Sequence, residues 1–150
     1  MIPFKTVVTA LFAALTLTAH AADGLVAVKS PHTTAETGSR LVVALQERGL
    51  KLFARIDHAA GAASLGKTLR PTEVFIFGNP QGGTPLMLCQ QSAGIDLPLK
   101  ALVWQDAMGQ VWFGYNDPTW IGARHGAADC PVVPNLAKAL AGLAAATTAP

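Results

Sequence analysis

The stretch "KALVWQDAMGQVWFGYN", residues 100–116, constrains the fold more than any other part of the chain. Two segments rich in valine and aromatic residues flank a turn in which Asp106 and Gly109 take the first and fourth positions of a type I geometry. So short a connection can only join antiparallel neighbours, because a parallel crossover needs about a dozen residues or more. The chain must contain an antiparallel pair of strands, and every other element has to be fitted around it.

Upstream, "GLVAVKS" reads as a short strand, and Thr33 with Glu36 forms the S/T-x-x-E pattern that opens a helix. That helix is expected to run to about Arg48, with Leu41, Ala44 and Leu45 on one face and Gly49 as its left-handed cap. Gly38 weakens it by about 1 kcal/mol relative to alanine. In "LKLFARID" the period drops to two: Leu50, Leu52, Ala54 and Ile56 alternate with Lys51, Phe53, Arg55 and Asp57, as in a half-buried strand. "HAAGAASLGKTLRPT" is small and irregular, with room for a helical turn, and "EVFIFG" is the next strand. A helix over "PLMLCQQS" is expected to begin at Thr84 as N-cap and Pro85 in its first turn, followed by a loop through "AGIDLP". After the hairpin, Asp117, Pro118 and Gly126 mark the cap, first turn and terminator of a further helix. A last helix spans about 134–146 with Leu136, Leu140 and Leu143 on its apolar face. The order predicts an α+β, two-layer domain. Its sheet has about five strands, mostly antiparallel with a mixed sheet left open, and helices pack on one face.

The first residues read differently. "MIPFK", the apolar "TVVTALFAALTLT" and Ala19-His20-Ala21 have the charge, length and small-residue site of a secretory signal peptide over residues 1–21. The expected product is a single domain over 22–150, exported to the periplasm and without a membrane anchor. In that oxidising compartment Cys89 and Cys130 are expected to form a disulfide, closing a loop worth about 4 kcal/mol on the chain-entropy argument. The formal net charge is only +2, and the basic residues are scattered singly. Nothing gathers them into the stripe that a phosphate backbone requires, so nucleic-acid binding is set aside.

"FIFGNPQGGTPLM", residues 75–87, invites comparison with phosphate-holding loops. No lysine follows its glycines, and the spacing differs from G-x-G-x-x-G, so the pattern of a P-loop or a dinucleotide loop is missing. The plainer reading is a turn from strand into helix, in which Asn79 and the amides of the helix start keep some interest as ligand contacts.

Taken together, "IDHAAGA", "LRPTEVFIFGNPQGGTPLM", "GIDLPLKALVWQDAMGQVWFGYNDPTW" and "ARHG" resemble the domain-of-unknown-function family 302 (DUF302) of small bacterial α+β domains, over about residues 25–126. The resemblance implies that fold and a tendency to self-associate, and it implies no established activity. The family pattern falls on Asp57 and His58, on Gly78, Asn79 and Pro80, on Asp96 to Pro98, on Tyr115 to Pro118, and on Arg124 and His125. The glycine in "FGYNDP" stands where the family commonly has a small hydroxyl residue, which suggests a locally tolerant backbone.

Candidate site residues follow. His58, Asn79, Tyr115, Asn116 and His125 sit at strand ends and helix termini where a pocket could open. His58 and His125 would start a metal or haem site if they converged, although C-capping suffices for His125 and a strand-end hydrogen bond for His58. Trp104, Trp112 and Trp120 fit core or dimer contacts better than ligand stacking. No nucleophile elbow, H-E-x-x-H helix or cysteine–histidine signature is present. The expected function is a non-catalytic periplasmic binding or sensing module for a small molecule, a metal or haem. Two alternatives stand beside it: an enzyme using His58 or His125 as acid or base, and a structural envelope domain that forms a homodimer.

Overall fold

A computed structural model describes residues 22–150, so the signal-peptide reading of residues 1–21 lies outside the described residues. Five strands, β1 (Leu25–Ser30), β2 (Lys51–Asp57), β3 (Thr72–Gly78), β4 (Leu99–Gln105) and β5 (Val111–Asn116), form one sheet in the order β1-β5-β4-β3-β2. Every neighbouring pair is antiparallel, which resolves the open question of a mixed sheet. The helices are α1 (Thr34–Glu47), α2 (His58–Ala63), α3 (Pro80–Cys89), α4 (Pro118–Arg124) and α5 (Val133–Thr148), with a 3-10 helix over Gln91–Ile95.

The hairpin forms as its turn residues dictate. Asp106 carbonyl accepts from Gly109 N–H at 3.1 Å. Asp106 Oδ1 accepts from the amides of Met108 and Gln110 at 2.9 and 3.0 Å, while Oδ2 accepts from Trp112 Nε1 at 2.8 Å. The Trp112 hydrogen bond, helped by those two amides, holds the Asp106 carboxyl below the usual carboxylate range. A depressed folded-state value means that this support is present above the ordinary carboxylate range and is lost as pH falls through the lowered value. Trp112→Phe is expected to return the Asp106 titration toward its ordinary position, followed by NMR of the side-chain carboxyl. An unmoved titration would leave the indole without that role.

Val103, Val111, Phe113 and Tyr115 of the hairpin point to the same face as Phe75 and Phe77 of β3, and α1 and α5 cover that face with Leu41, Leu45, Leu140 and Leu143. Thr33 caps α1 by accepting from Glu36 N–H, and Gly49, at φ 64°, ends it in the left-handed region that favours glycine. The other face carries Val74, Ile76, Leu102 and the stacked pair Trp104 and Trp112, all half-buried. A β-carbon at Gly114 would lie 2.7 Å from the Trp104 ring. A close approach, rather than a tolerant backbone, is the reason for that glycine.

Two local expectations are corrected. The register of β2 against β3 shifts between Leu52 and Ala54, so Leu52 opposes Phe77 while Ala54 and Ile56 oppose Ile76 and Val74 on the other face. A bulge of this kind ends strict alternation, and it leaves Ile56 43% exposed. The helix expected to start at Thr84 begins instead at Pro80, capped by Asn79, whose Oδ1 accepts from Gly82 N–H at 2.8 Å. Pro85 therefore lies inside α3. An Asn-Pro pair satisfies the cap and first-turn positions as well as Thr-Pro does, and it comes first along the chain.

Candidate functional site

His58 opens α2 after β2, whose last residue, Asp57, lies opposite Glu73 near the start of β3. The other candidates gather at the far end of the sheet, where β3 runs out at Gly78 and β5 at Asn116. The two ends are about 16 Å apart along β3 at ~3.3 Å per residue. The fold does not bring His58 and His125 together. His58 is exposed, and its neighbour Asp57 caps α2 by accepting from Ala60 N–H at 2.9 Å.

His125, the C-cap residue of α4, is instead bound into a polar chain. Its Nε2 lies 2.7 Å from Asp96 Oδ2 and its Nδ1 lies 3.0 Å from Ser92 Oγ, while Arg124 Nη1 donates to Asp96 Oδ1 at 3.2 Å. Both ring nitrogens are occupied by this clamp between α4 and the segment after α3. Among the described residues there is no group of three or more His, Cys, Asp or Glu placed to hold a metal ion. Tyr115 is buried at 7% exposure beside Phe113, and burial, with the charge of Asp117 adding to it, raises its hydroxyl above the usual tyrosine value. Asn116 is exposed at the end of β5, opposite Leu25.

Asn79 is the one sequence candidate that lines a large opening. A groove of about 1100 Å³ is walled by the first turns of α3 on one side, from Asn79 to Thr84, and by α5 on the other, from Val132 to Leu143. Phe77 and Leu99 of the sheet, Leu97 and Pro98 before β4, and Leu50 and Phe53 from the corner between α1 and β2 complete it. The α3 wall can stand close to α5 because a β-carbon at Gly82 would already touch Leu136 at 3.4 Å. Two of its lining residues are cationic, Arg48 and Lys138, and none is acidic. Arg48 donates to Ala44 carbonyl at 2.9 Å and lies 3.9 Å from Glu47, whereas Lys138 is exposed with no carboxylate within ion-pair distance among the described residues.

The α5 side of this groove was not among the expected site residues. Its sequence signal is faint: Ala139 and Gly142 place small side chains beside Leu136 and Leu143, a pattern equally at home on a plain core helix. Cys89 and Cys130 form the expected disulfide, which fastens the end of α3 to the loop entering α5. The bridge thus ties the two walls of the groove together.

The profile of the family described as "Domain of unknown function DUF302" matches residues 26–143. The chain is 49% identical over 103 residues to "Fluoride-specific ion channel FluC 1" of Brucella suis biovar 1, covering 69% of this chain and 41% of that protein. It has the same identity over the same length to "Fluoride-specific ion channel FluC 2" of Brucella melitensis biotype 1, covering 38% of that protein. The chain therefore spans about two fifths of the length of these curated relatives. The crystal structure of an uncharacterized conserved DUF302 protein from Bacillus stearothermophilus superposes with a TM-score of 0.76 at 21% identity, over 84% of this chain and 99% of that one. At that identity the likeness speaks for the fold alone.

Proposed function

The chain belongs to the DUF302 family of domains of unknown function, and we propose that it is a non-catalytic binding or sensing module, exported to the periplasm, whose ligand lies in the groove between α3 and α5. The observation that carries this reading is the groove itself. Its volume, about 1100 Å³, is slightly above the ~300–1,000 Å³ usual for small-molecule sites, and apolar side chains are the largest part of its lining, with a few polar groups among them. Of the three ligand kinds expected, a small organic molecule suits such a lining better than a metal ion or haem. No imidazole or thiolate is among its lining residues.

The enzyme alternative is favoured by one arrangement, the His125 ring held between Asp96 and Ser92. It lies outside the groove lining, so the two readings concern different surfaces. The homodimer alternative draws on the half-buried face that carries Trp104 and Trp112. The channel name belongs to the Brucella relatives. It is not carried over to this chain, which spans about two fifths of their length.

Gly142 supplies the test. It lines the groove, and a β-carbon there would meet nothing within 4 Å. Gly142→Trp is expected to fill the groove and lower the affinity of a neutral fluorescent apolar probe, such as Nile red, by tenfold or more. The α5 helix should tolerate it, because tryptophan is a better helix former than glycine. Titrations would be run beside circular dichroism to confirm folding. Unchanged probe binding in a folded Gly142→Trp protein would remove the groove from consideration.

A further inference from the structure

We infer that the groove takes a free straight-chain fatty acid, bound as its carboxylate; the inference rests on the groove reading above and names the ligand class of that same site.

Shape comes first. The lining residues of α5 run from Val132 to Leu143, a length of about 16 Å at 1.5 Å per residue. An opening extended along three helical turns fits an elongated chain better than a compact ring system. Leu50, Phe53, Met87, Leu97 and Leu99 turn partly exposed apolar side chains toward it, above a floor of the buried Phe77, Leu136, Leu140 and Leu143. Each buried methylene should then strengthen binding by about fourfold until the chain outgrows the groove.

Charge decides the head group. The chain as a whole is nearly balanced, with 11 Lys and Arg against 9 Asp and Glu, yet the groove lining holds Arg48 and Lys138 and no carboxylate. Asn135, Gln81 and Thr84 add neutral polar groups to the lining. A carboxylate kept at the margin stays partly hydrated and meets the Lys138 ammonium without the cost of full burial. A cationic head would find no carboxylate among the lining residues, and the nearby Glu47 is already beside Arg48. Arg48 and Lys138 are both exposed, so their attraction is screened by salt and sets head-group preference more than total affinity.

The test compares three amphiphiles of one chain length below their micellar concentrations: dodecanoate, dodecanol and dodecyltrimethylammonium, each titrated against the neutral probe. Dodecanoate should bind several-fold more tightly than dodecanol, and the cation most weakly. Lys138→Glu should reduce the affinity for dodecanoate at least threefold, leave dodecanol unchanged and strengthen the cation. Raising the salt concentration should narrow the spread among the three. Equal binding of acid and alcohol, or an advantage of the acid that survives Lys138→Glu, would overturn the fatty-acid inference. So would binding of compact ring ligands with rejection of all three chains. Those results leave the groove reading intact, whereas loss of no ligand at all in Gly142→Trp would remove both. A second copy of the chain as occupant would appear as a dimer in native mass spectrometry that dodecanoate does not dissociate, and that result also overturns the inference.

Discussion

Removal of the Cys89–Cys130 bridge, by reduction or as the Cys89→Ala, Cys130→Ala double variant, is expected to cost about 4 kcal/mol of stability and to abolish binding in the groove. The bridged residues are 41 positions apart, and a loop of that size falls between the ~3 and ~4.7 kcal/mol expected for loops of 15 and 100 residues. The local consequence is sharper than the global one. α3 has a single buried side chain, Leu86, two glycines in its opening turns and Pro85 in its interior, a position that costs about 3 kcal/mol relative to alanine in an ordinary helix. A segment with so little of its own to hold it depends on its anchors, and the bridge is the covalent one. Cys89 is exposed while Cys130 is 6% exposed, so the α3 end of the bridge lies nearer solvent than the end leading into α5. Denaturant titrations with and without reductant give the first quantity. Hydrogen exchange of the α3 amides gives the second, and those amides should lose protection before the sheet does. If α3 stays protected after reduction, Leu86 and the Asn79 cap are sufficient anchors and α3 does not depend on the bridge.

Most of the architecture was legible because it rests on signals a few residues long. The Asp106–Gly109 turn, the Thr33 cap, the Asp117-Pro118 start of α4 and the leucine spacing of α5 each act within one or two turns of chain, and each forms where the residues call for it. Errors arose where two local signals competed or where the deciding partner is remote. Asn79-Pro80 and Thr84-Pro85 offer the same helix-start chemistry five residues apart; the earlier pair takes the cap, and Pro85 is accommodated inside α3. The β2 bulge is likewise invisible in "LKLFARID", since its cause is the register against β3. For the site the lesson is harder. Asp96, Arg124 and His125 do meet, although their spacing of 28 and 29 residues gives no hint of it. Much of the groove is built from α5 and from the backbone around Gly82, where leucines, Ala139 and glycines carry no chemical signature and Lys138 reads in the sequence as an ordinary surface lysine.

Gly38 shows how a remote partner changes the meaning of a local rule. By propensity alone Gly38→Ala should stabilise α1 by up to about 1 kcal/mol. In the folded chain a β-carbon at Gly38 would lie 2.9 Å from Cζ of Phe75, a ring that is 0% exposed and carries the Arg55 guanidinium 5.0 Å from its centre. The Arg55 side chain is in turn paired with Glu73, so the ring cannot easily give way. Gly38→Ala is therefore expected to destabilise the native protein despite its helical preference, because overpacking a filled core costs about 1–3 kcal/mol. Phe75→Ala should cost about 3–5 kcal/mol, a large share of the ~5–15 kcal/mol typical of a domain's total stability. Combined, the two changes should not add. With the ring gone, the alanine methyl at position 38 enters the vacated space and the helix recovers its propensity, so Gly38→Ala becomes stabilising in the Phe75→Ala background. A double-mutant cycle read by urea midpoints would show this as a change of sign. Strict additivity would mean that α1 does not rest on Phe75 through Gly38, and that the helix layer meets the sheet elsewhere than the fold indicates.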